Sequence, residues 1–231
     1  MTGQILITGA SRGIGLELAR QYAAEGWTVF ATCRNPEKSA QINQLANANN
    51  RVSVFRLDVT DTDGIRSLSK ELKEERIDIL FNDAGTAEPK GQEFESIDEK
   101  AWIGAFKVNV IGPLKMAESF VHQVARSEQK IIATMSSIMG SLTDNTSGNY
   151  YVYRSTKAAV NMVMKSLAAD LYDKQIISVC LHPGWVRTDM GGSQAPLEPE
   201  ESVKGIRRVL ASLTLKDSGR FLTYEGAELP W

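Results

Sequence analysis

A tyrosine and a lysine one helical turn apart form the most reactive pair in the sequence. Tyr153 and Lys157 are separated by four positions, and on a helix this spacing stacks both side chains on one face. A free tyrosine has a pKa near ~10, but a neighbouring ammonium favours the phenolate and lowers that pKa. Such a pair could pass a proton to or from an oxygen of a ligand. A core tyrosine followed by a surface lysine would give the same pattern without chemistry.

Two polar residues upstream could complete a site of this kind. Ser137 follows the apolar stretch 130–135, and in an open parallel sheet ligands bind beyond the carboxyl ends of the strands. Its hydroxyl could hydrogen-bond a substrate carbonyl, although serine is also a common residue at the end of a strand. Asn109 lies just before Gly112-Pro113, which should kink a helix and free backbone groups that could hold a water. A purely structural asparagine fits the same position.

The N-terminal part of the chain has the pattern of a phosphate-binding unit. An apolar run at 4–8 is followed by Gly9, Gly13 and Gly15 and then by apolar residues at helical spacing. Glycines let the backbone approach a pyrophosphate, and the free N–H groups of the following helix supply partial positive charge. An ordinary strand–helix turn would also explain the glycines. Together with the tyrosine–lysine pair, they indicate an oxidoreductase that uses a nicotinamide dinucleotide.

The elements that must position these residues follow an alternating order. Apolar runs alternate with amphipathic stretches, which predicts an α/β fold with a doubly wound parallel sheet of about seven strands and helices on both faces. The predicted strands are 4–8, 27–32, 51–56, 77–82, 130–135, 176–181 and 219–223. The predicted helices are 13–25, 36–47, 61–74, 98–126, 150–172 and 199–213. The fourth helix is predicted to start with a capping box formed by Ser96 and Glu99.

The composition argues against a nucleic-acid or membrane protein. The 231 residues suit one domain, 1–231, and a formal charge of −2 is spread over 26 basic and 28 acidic residues. The apolar runs are strand-length and no signal peptide precedes the first, so we expect a cytoplasmic protein. Cys33 and Cys180 lack metal-ligand spacing and there are only two histidines, so we expect no metal site.

Ordered motifs over nearly the whole chain resemble the short-chain dehydrogenase/reductase family, and most closely its C-factor-like and sniffer-like carbonyl reductases. They are Thr8-Gly9-Ala10-Ser11-Arg12-Gly13-Ile14-Gly15, Asp58-Val59, Asn82-Asp83-Ala84-Gly85, Asn109, Ser137, Tyr153 with Lys157, and Pro183-Gly184-Trp185-Val186-Arg187-Thr188. Two departures stand out. Asp83 takes the place of the usual second asparagine, and the separation of 16 positions from Ser137 to Tyr153 suggests an extra loop around 143–148.

The resemblance implies a single-domain Rossmann fold and hydride transfer between NADP(H) and a carbonyl or alcohol. It makes Tyr153 the proton donor and Ser137 the group that holds the substrate oxygen. Lys157 would support the phenolate and bind ribose hydroxyls, and Asn109 would position a water that relays protons. The expected cofactor contacts are Gly9, Ser11, Arg12, Gly13, Ile14, Gly15, Arg34, Asp58, Val59, Asn82, Ala84, Gly85, Tyr153, Lys157, Pro183, Gly184, Val186 and Thr188.

The end of the second predicted strand bears on which dinucleotide is bound. An NAD-selective enzyme places an acidic side chain here to bind the adenosine ribose, whereas this chain has Cys33 and Arg34. Arg34, together with Arg12 of the glycine turn, could instead pair with the 2′-phosphate of NADP(H). Two solvated arginines would give the same sequence.

Residues near the expected site also predict its pocket and cover. The residues Ile138, Met139, Tyr150, Tyr151 and Trp185 predict an apolar pocket and a substrate that is not highly charged. Combined with the resemblance, this implies a small apolar carbonyl or alcohol substrate. Gly191-Gly192, followed by two prolines, predicts that 190–199 is a mobile lid, with a plain surface connection as the alternative.

The sequence allows more than one oligomeric state and more than one class of function. The resemblance implies a homodimer, with a homotetramer as the next choice. The helix predicted over 98–126 agrees with this, because it is more apolar than one core-facing stripe requires. The tail ending in Trp231 is a second possible contact, or an intramolecularly packed segment. A C-factor-like signalling protein that binds nucleotide and a partner subunit without turnover are the alternatives to an enzyme.

Overall fold

The protein is described by a computed structural model over residues 2–87 and 93–231, which forms a parallel sheet between helical layers. The described strands are β1 (Gln4–Thr8), β2 (Thr28–Cys33), β3 (Val52–Arg56), β4 (Ile79–Asn82), β5 (Ile131–Met135), β6 (Ile177–His182) and β7 (Phe221–Thr223). The described helices are α1 (Gly13–Ala24), α2 (Ala40–Ala48), α3 (Thr62–Glu71), α4 (Glu99–Phe106), α5 (Gly112–Ala125), α6 (Tyr151–Asp170) and α7 (Pro199–Ser212).

The strand order places a crevice in the middle of the sheet. Within the described ranges the order is β3-β2-β1-β4-β5-β6-β7, and each neighbouring pair is parallel. The chain therefore leaves β1 in one direction and later returns to build the other half from β4. Ligands of open α/β sheets bind outside the carboxyl ends of the strands at this reversal. The predicted fold class is confirmed.

The sheet is covered on both faces, which explains why its strands read as continuous apolar runs. Ile5 and Ile7 of β1 belong to one core cluster, while Leu6 between them belongs to the cluster on the opposite face. All three side chains are fully buried. Burying an aliphatic side chain of this size contributes about 1.5–3 kcal/mol, so the two clusters hold the strand ends in fixed positions.

The fourth predicted helix is divided in the structure. α4 and α5 are joined by a π-helical turn, Lys107–Ile111, so the irregularity expected beside Asn109 is a widened turn. Pro113 lies in the first turn of α5, where a missing N–H is tolerated. The predicted capping box is wrong. Asp98 caps α4 instead, because its carboxylate accepts the N–H groups of Lys100 and Ala101 at 2.8 and 3.3 Å.

None of the helices in residues 2–87 and 93–231 combines the length and hydropathy needed to cross a membrane. The same ranges contain no group of three or more His, Cys, Asp or Glu side chains that could hold a metal ion.

Candidate active site

Ser137 lies immediately beyond β5, at the sheet edge where ligands of this fold class bind. It is the N-cap of a short 3-10 turn, Ile138–Gly140, and its Oγ accepts the N–H of Met139 at 3.2 Å. The Ser137 side chain also hydrogen-bonds the hydroxyl of Tyr153. The structure thus brings the predicted serine and tyrosine into direct contact.

Helix α6 carries Tyr153 and Lys157 toward this edge. It forms because Val160, Met164 and Leu167 give it a buried stripe against the sheet. Lys157 is only 5 % exposed, and its Nζ lies 5.6 Å from the ring centroid of Tyr153. The same Nζ donates a 2.8 Å hydrogen bond to the carbonyl of Met135 at the end of β5. The ammonium is therefore fixed between α6 and the strand that leads to Ser137.

The titration of this pair differs from the prediction made from sequence. Burial raises the pKa of Tyr153 to about 12, opposed by the hydrogen bond with Ser137 and reinforced by the charge of Asp83. Burial lowers the pKa of Lys157 to about 8, opposed by the charges of Asp83 and Cys180. The pKa of Tyr153 thus lies above its ordinary value, whereas a value below it was expected, because desolvation of the phenol is the largest effect on it.

Asn109 is buried on the π-helical turn, and its side chain links two segments of the chain; this link is called the Asn109 brace below. Its Oδ1 accepts the N–H of Thr86 at 2.8 Å, and its Nδ2 donates to the carbonyl of Thr86 at 2.9 Å and to Thr156 Oγ1 at 3.0 Å. Both amide hydrogens are thus used within the protein. The side chain ties the loop after β4 to α6, and the predicted water relay would have to use other groups of this turn.

The glycine turn after β1 packs against the turn after β4. Gly9 has φ +76°, and a Cβ there would lie 2.8 Å from Ala84 Cα. A Cβ on Gly15 would lie 2.6 Å from the carbonyl oxygen of Gly9 and 2.7 Å from Asp83 Oδ2. Thr8 Oγ1 fixes the contact by accepting the N–H groups of Asp83 and Ala84, each at 3.1 Å. Only glycine fits these approaches, so the turn after β1 packs closely against the turn after β4.

The loop after β6 lies beside the glycine turn. The glycine turn, the turn after β4 and this loop are together called the glycine cradle below. A Cβ on Gly13 would lie 3.4 Å from Thr188 Cγ2, so the glycine turn and this loop are in contact range. Pro183 is held to α7 by a 2.6 Å bond from Ser202 Oγ, and Val186 forms a bridge with Leu197. The predicted contacts Gly184, Val186 and Thr188 therefore share one loop beside the glycines.

The remaining predicted cofactor residues lie along the same edge. Ala10 N–H bonds the carbonyl of Thr32 at 2.9 Å, which places the glycine turn beside the end of β2 and hence near Arg34. Arg12 pairs with Asp189 at 3.0 Å, with both side chains more than 70 % exposed. Asp58 follows β3, where its carboxylate accepts the hydroxyl of Thr60.

Several apolar side chains are exposed on the segments that follow β5 and β6. Tyr150, Tyr151 and Trp185, called the apolar rim below, are exposed, whereas Ile138 and Met139 are half-buried. Sequence reasoning missed Phe94, whose ring pairs with that of Tyr151 at 6.3 Å. It also missed Leu142 and Met190, which are exposed on the loops after β5 and β6. Exposed apolar residues beside loops were the only available signal.

The segment ending in Trp231 packs within the molecule rather than projecting from it. Its carbonyl oxygen accepts the N–H groups of Leu142 and Thr143 at 2.8 and 3.1 Å and the hydroxyl of Ser141 at 3.1 Å. The indole stacks on Phe221 with 5.6 Å between ring centroids. Of the two predicted roles for this tail, the structure shows the intramolecular one, and the tail holds the loop that follows Ser137.

Comparisons with known proteins agree with this geometry. The short chain dehydrogenase family model matches residues 4–198. The C-signal protein of Myxococcus xanthus is 39 % identical over 155 residues, which cover 67 % of this chain and 93 % of that protein. A 1-hydroxy-2-glutathionyl-2-methyl-3-butene dehydrogenase of Rhodococcus sp. is 32 % identical over 233 residues, which cover 98 % and 99 % of the two chains.

Two solved structures extend the likeness to three dimensions. The carbonyl reductase Sniffer of D. melanogaster superimposes with a TM-score of 0.93 at 33 % identity, over 100 % of both chains. An NADPH-bound carbonyl reductase from chicken fatty liver gives 0.93 at 32 % identity, over 100 % of this chain and 99 % of that one. With the serine, tyrosine, lysine and glycine turn in place, this chain belongs to the short-chain dehydrogenase/reductase family, in its C-factor-like and sniffer-like branch.

Proposed function

We propose that the protein is an NADP(H)-dependent carbonyl reductase that acts on small apolar carbonyl compounds or the matching alcohols. The observation that carries this proposal is the contact between the Tyr153 hydroxyl and Ser137, with the buried Lys157 ammonium beside it. Ser137, Tyr153 and Lys157 lie at the same edge of the sheet as the glycine cradle. This arrangement supports Tyr153 as a proton donor beside a dinucleotide bound at the glycines.

The cofactor would lie along the glycine cradle, with Gly13, Gly15 and Thr188 nearest its phosphates and nicotinamide. When bound, NADP(H) supplies or accepts the hydride. Its fit is supported by backbone turns that tolerate only glycine and by the absence of a carboxylate at positions 33 and 34 after β2. The NADPH bound to the chicken liver reductase supports the same choice.

The protein's own residues then handle the oxygen and its proton. Tyr153 donates its proton to the oxygen of the reduced carbonyl, and Ser137 holds that oxygen in line. A raised pKa keeps Tyr153 protonated at neutral pH, which suits a proton donor in the direction of reduction. Lys157 stabilises the phenolate that remains, and its three donors leave capacity for ribose hydroxyls beyond the bond to Met135.

The apolar rim of Tyr150, Tyr151 and Trp185 favours an uncharged substrate. The experiment that tests the proposed function is a screen of NADPH oxidation with aldehydes, ketones and quinones. Turnover of at least one class is expected, and NADPH binding without any turnover would favour the C-factor-like signalling role that the similarity to C-signal suggests. The two buried free cysteines fit a reducing compartment, and we place the protein in the cytoplasm.

We further propose that the segment 190–199 closes over the bound substrate. It is anchored at its start, because Trp185 Nε1 donates to the Gly191 carbonyl at 2.8 Å and Gly191 N–H donates to Thr188 Oγ1 at 3.1 Å. Gly192 at φ +79° gives it a pivot. Hydrogen exchange is expected to slow across this segment when NADPH and a substrate analogue bind together, with α3 as an unaffected reference. Unchanged protection in the ternary complex would show a plain surface connection.

Self-association as a homodimer is proposed from an apolar surface on α4, the π-helical turn and α6. Ile103, Ile111 and Met162 are 51, 42 and 68 % exposed, and Met162 lines a groove with Leu114 of α5. A second copy would cover this surface. Light scattering at micromolar concentration is expected to give twice the monomer mass of 25.4 kDa, or four times for a homotetramer. Met162→Glu should shift the mass toward the monomer and Lys174→Glu should not. A wild-type monomer would contradict the proposal.

A further inference from the structure

Asp83 is held at the junction of the glycine turn and the catalytic pair. Its backbone N–H donates to Thr8 Oγ1 at 3.1 Å, which fixes the residue beside the end of β1. Its carboxyl group accepts the N–H of Gly15, and its Oδ2 lies 2.7 Å from the position of a Cβ on Gly15. The carboxyl group therefore lies against the first turn of α1, where the proposed cofactor's phosphates would be received.

The other side of Asp83 faces the groups that move the proton. The position of a Cβ on Gly85 lies 3.6 Å from the Asp83 carbonyl oxygen and 3.8 Å from Lys157 Nζ, so the two residues are close neighbours. A charged Asp83 favours the Lys157 ammonium and disfavours a Tyr153 phenolate. Cys180 of β6 also interacts with Lys157, whereas β1 and α1 present the uncharged Thr8 hydroxyl and Gly15 N–H.

The charge of this carboxyl group changes in the neutral range. Burial raises the pKa of Asp83 to about 7, although Lys157 and the Gly15 N–H both act to lower it. Below that pH the group is an uncharged acid, and above it a carboxylate beside a phosphate-binding helix start. The asparagine that is usual at this place in the family would be uncharged at every pH.

We propose that Asp83 makes cofactor binding depend on pH near neutrality, because only its uncharged form leaves the start of α1 free of a competing negative charge. This inference rests on the proposed function, since it concerns how the dinucleotide is received. By linkage, a bound anionic dinucleotide favours protonation of Asp83 to the same extent. Protonation of Asp83 also lowers the pKa of Lys157, because the carboxylate charge that favours the ammonium is then lost.

The test compares the wild-type protein with Asp83→Asn, which keeps the shape and an oxygen for the Gly15 N–H. Dissociation constants of NADPH and NADH are measured by nicotinamide fluorescence between pH 6 and 8.5. Two unit charges a few ångströms apart at an effective dielectric constant near 20 alter affinity by roughly tenfold or more. The wild-type affinity is therefore expected to fall at least tenfold, relative to Asp83→Asn, as pH rises. Asp170→Asn, at the far end of α6, should follow the wild type.

NADH serves as the control for the cofactor itself, since it lacks the 2′-phosphate, a group that ionises near pH 6. Parallel pH curves for the wild type and Asp83→Asn would overturn the inference and leave the proposed function standing. Absence of nucleotide binding by both proteins would overturn the proposed function and this inference with it.

A second measurement needs no cofactor. A carboxyl whose pKa is raised on folding contributes stability that is complete below its unfolded pKa near ~4 and is lost as pH rises through about 7. The stability of Asp83→Asn, relative to wild type, should therefore rise between pH 4 and 8. A constant difference across this range would show that folding does not raise the pKa of Asp83, and would overturn the inference.

Discussion

Tyr153→Phe is expected to lower turnover by roughly 10²–10⁴-fold, the usual contribution of a positioned general acid. The change removes one oxygen and keeps the ring, so Lys157 retains its aromatic neighbour at 5.6 Å. Binding of NADPH should change little, because the phenol acts on the substrate oxygen. The rate of NADPH oxidation with a verified substrate measures the effect.

A tyrosine on the same stretch of chain supplies the matched control. Tyr172 is 56 % exposed just after α6, and Tyr172→Phe should leave turnover unchanged. Lys157→Ala should harm both turnover and cofactor binding, because the ammonium is assigned to the phenolate and the ribose together. If Tyr153→Phe kept more than about a tenth of the activity, the assignment would be wrong and Tyr151 would be the next candidate.

NADPH is expected to bind more tightly than NADH, and Arg34→Ala is expected to remove most of that preference. A hydrogen bond to a charged group contributes about 1.5–3 kcal/mol, so losing the contact to a 2′-phosphate should weaken NADPH binding by roughly 10–150-fold. NADH binding should hardly change. Dissociation constants for both nucleotides, measured on both proteins, provide the test.

Arg12 should also contribute to the preference for NADPH, because the ion pair that it now forms contributes little to stability. The pair that Arg12 forms with Asp189 is exposed, and such pairs are worth about 0–1 kcal/mol, so the guanidinium can turn to a phosphate with little loss. Arg66→Ala, an exposed change on α3, is the control for a general loss of positive charge. Equal or tighter binding of NADH by the wild type would refute the NADP(H) assignment.

Much of the fold was predictable because its signals are local. The run 4–8 became β1 at the predicted bounds, since a strand buried on both faces leaves a continuous apolar segment. The candidate site was predictable because the glycine turn, Asn82–Gly85, Ser137 and the loop from Pro183 each follow a strand, and parallel strands bring their carboxyl ends to one edge. Ser137 and Tyr153, 16 residues apart in sequence, meet for this reason.

What could not be predicted depends on tertiary surroundings. The raised pKa of Tyr153 follows from how completely α6 and the turn after β5 exclude water, which no spacing reveals. The capping box expected at Ser96 and Glu99 gave way to Asp98, which the structure shows as the cap of α4. The role of Trp231 required knowing that the turn after Ser137 lies beside the tail.

The π-helical turn at Lys107–Ile111 has a consequence for how related sequences should be aligned. Such a turn holds about one residue more than an α-helical turn, so deleting that residue would restore an ordinary α-helix in which α4 and α5 keep their orientation. The shortened helix would still be regular, and the strands would be untouched, yet Asn109 would lose its hold on Thr86. A one-residue gap in this stretch therefore separates relatives that keep the Asn109 brace from relatives that share only the scaffold.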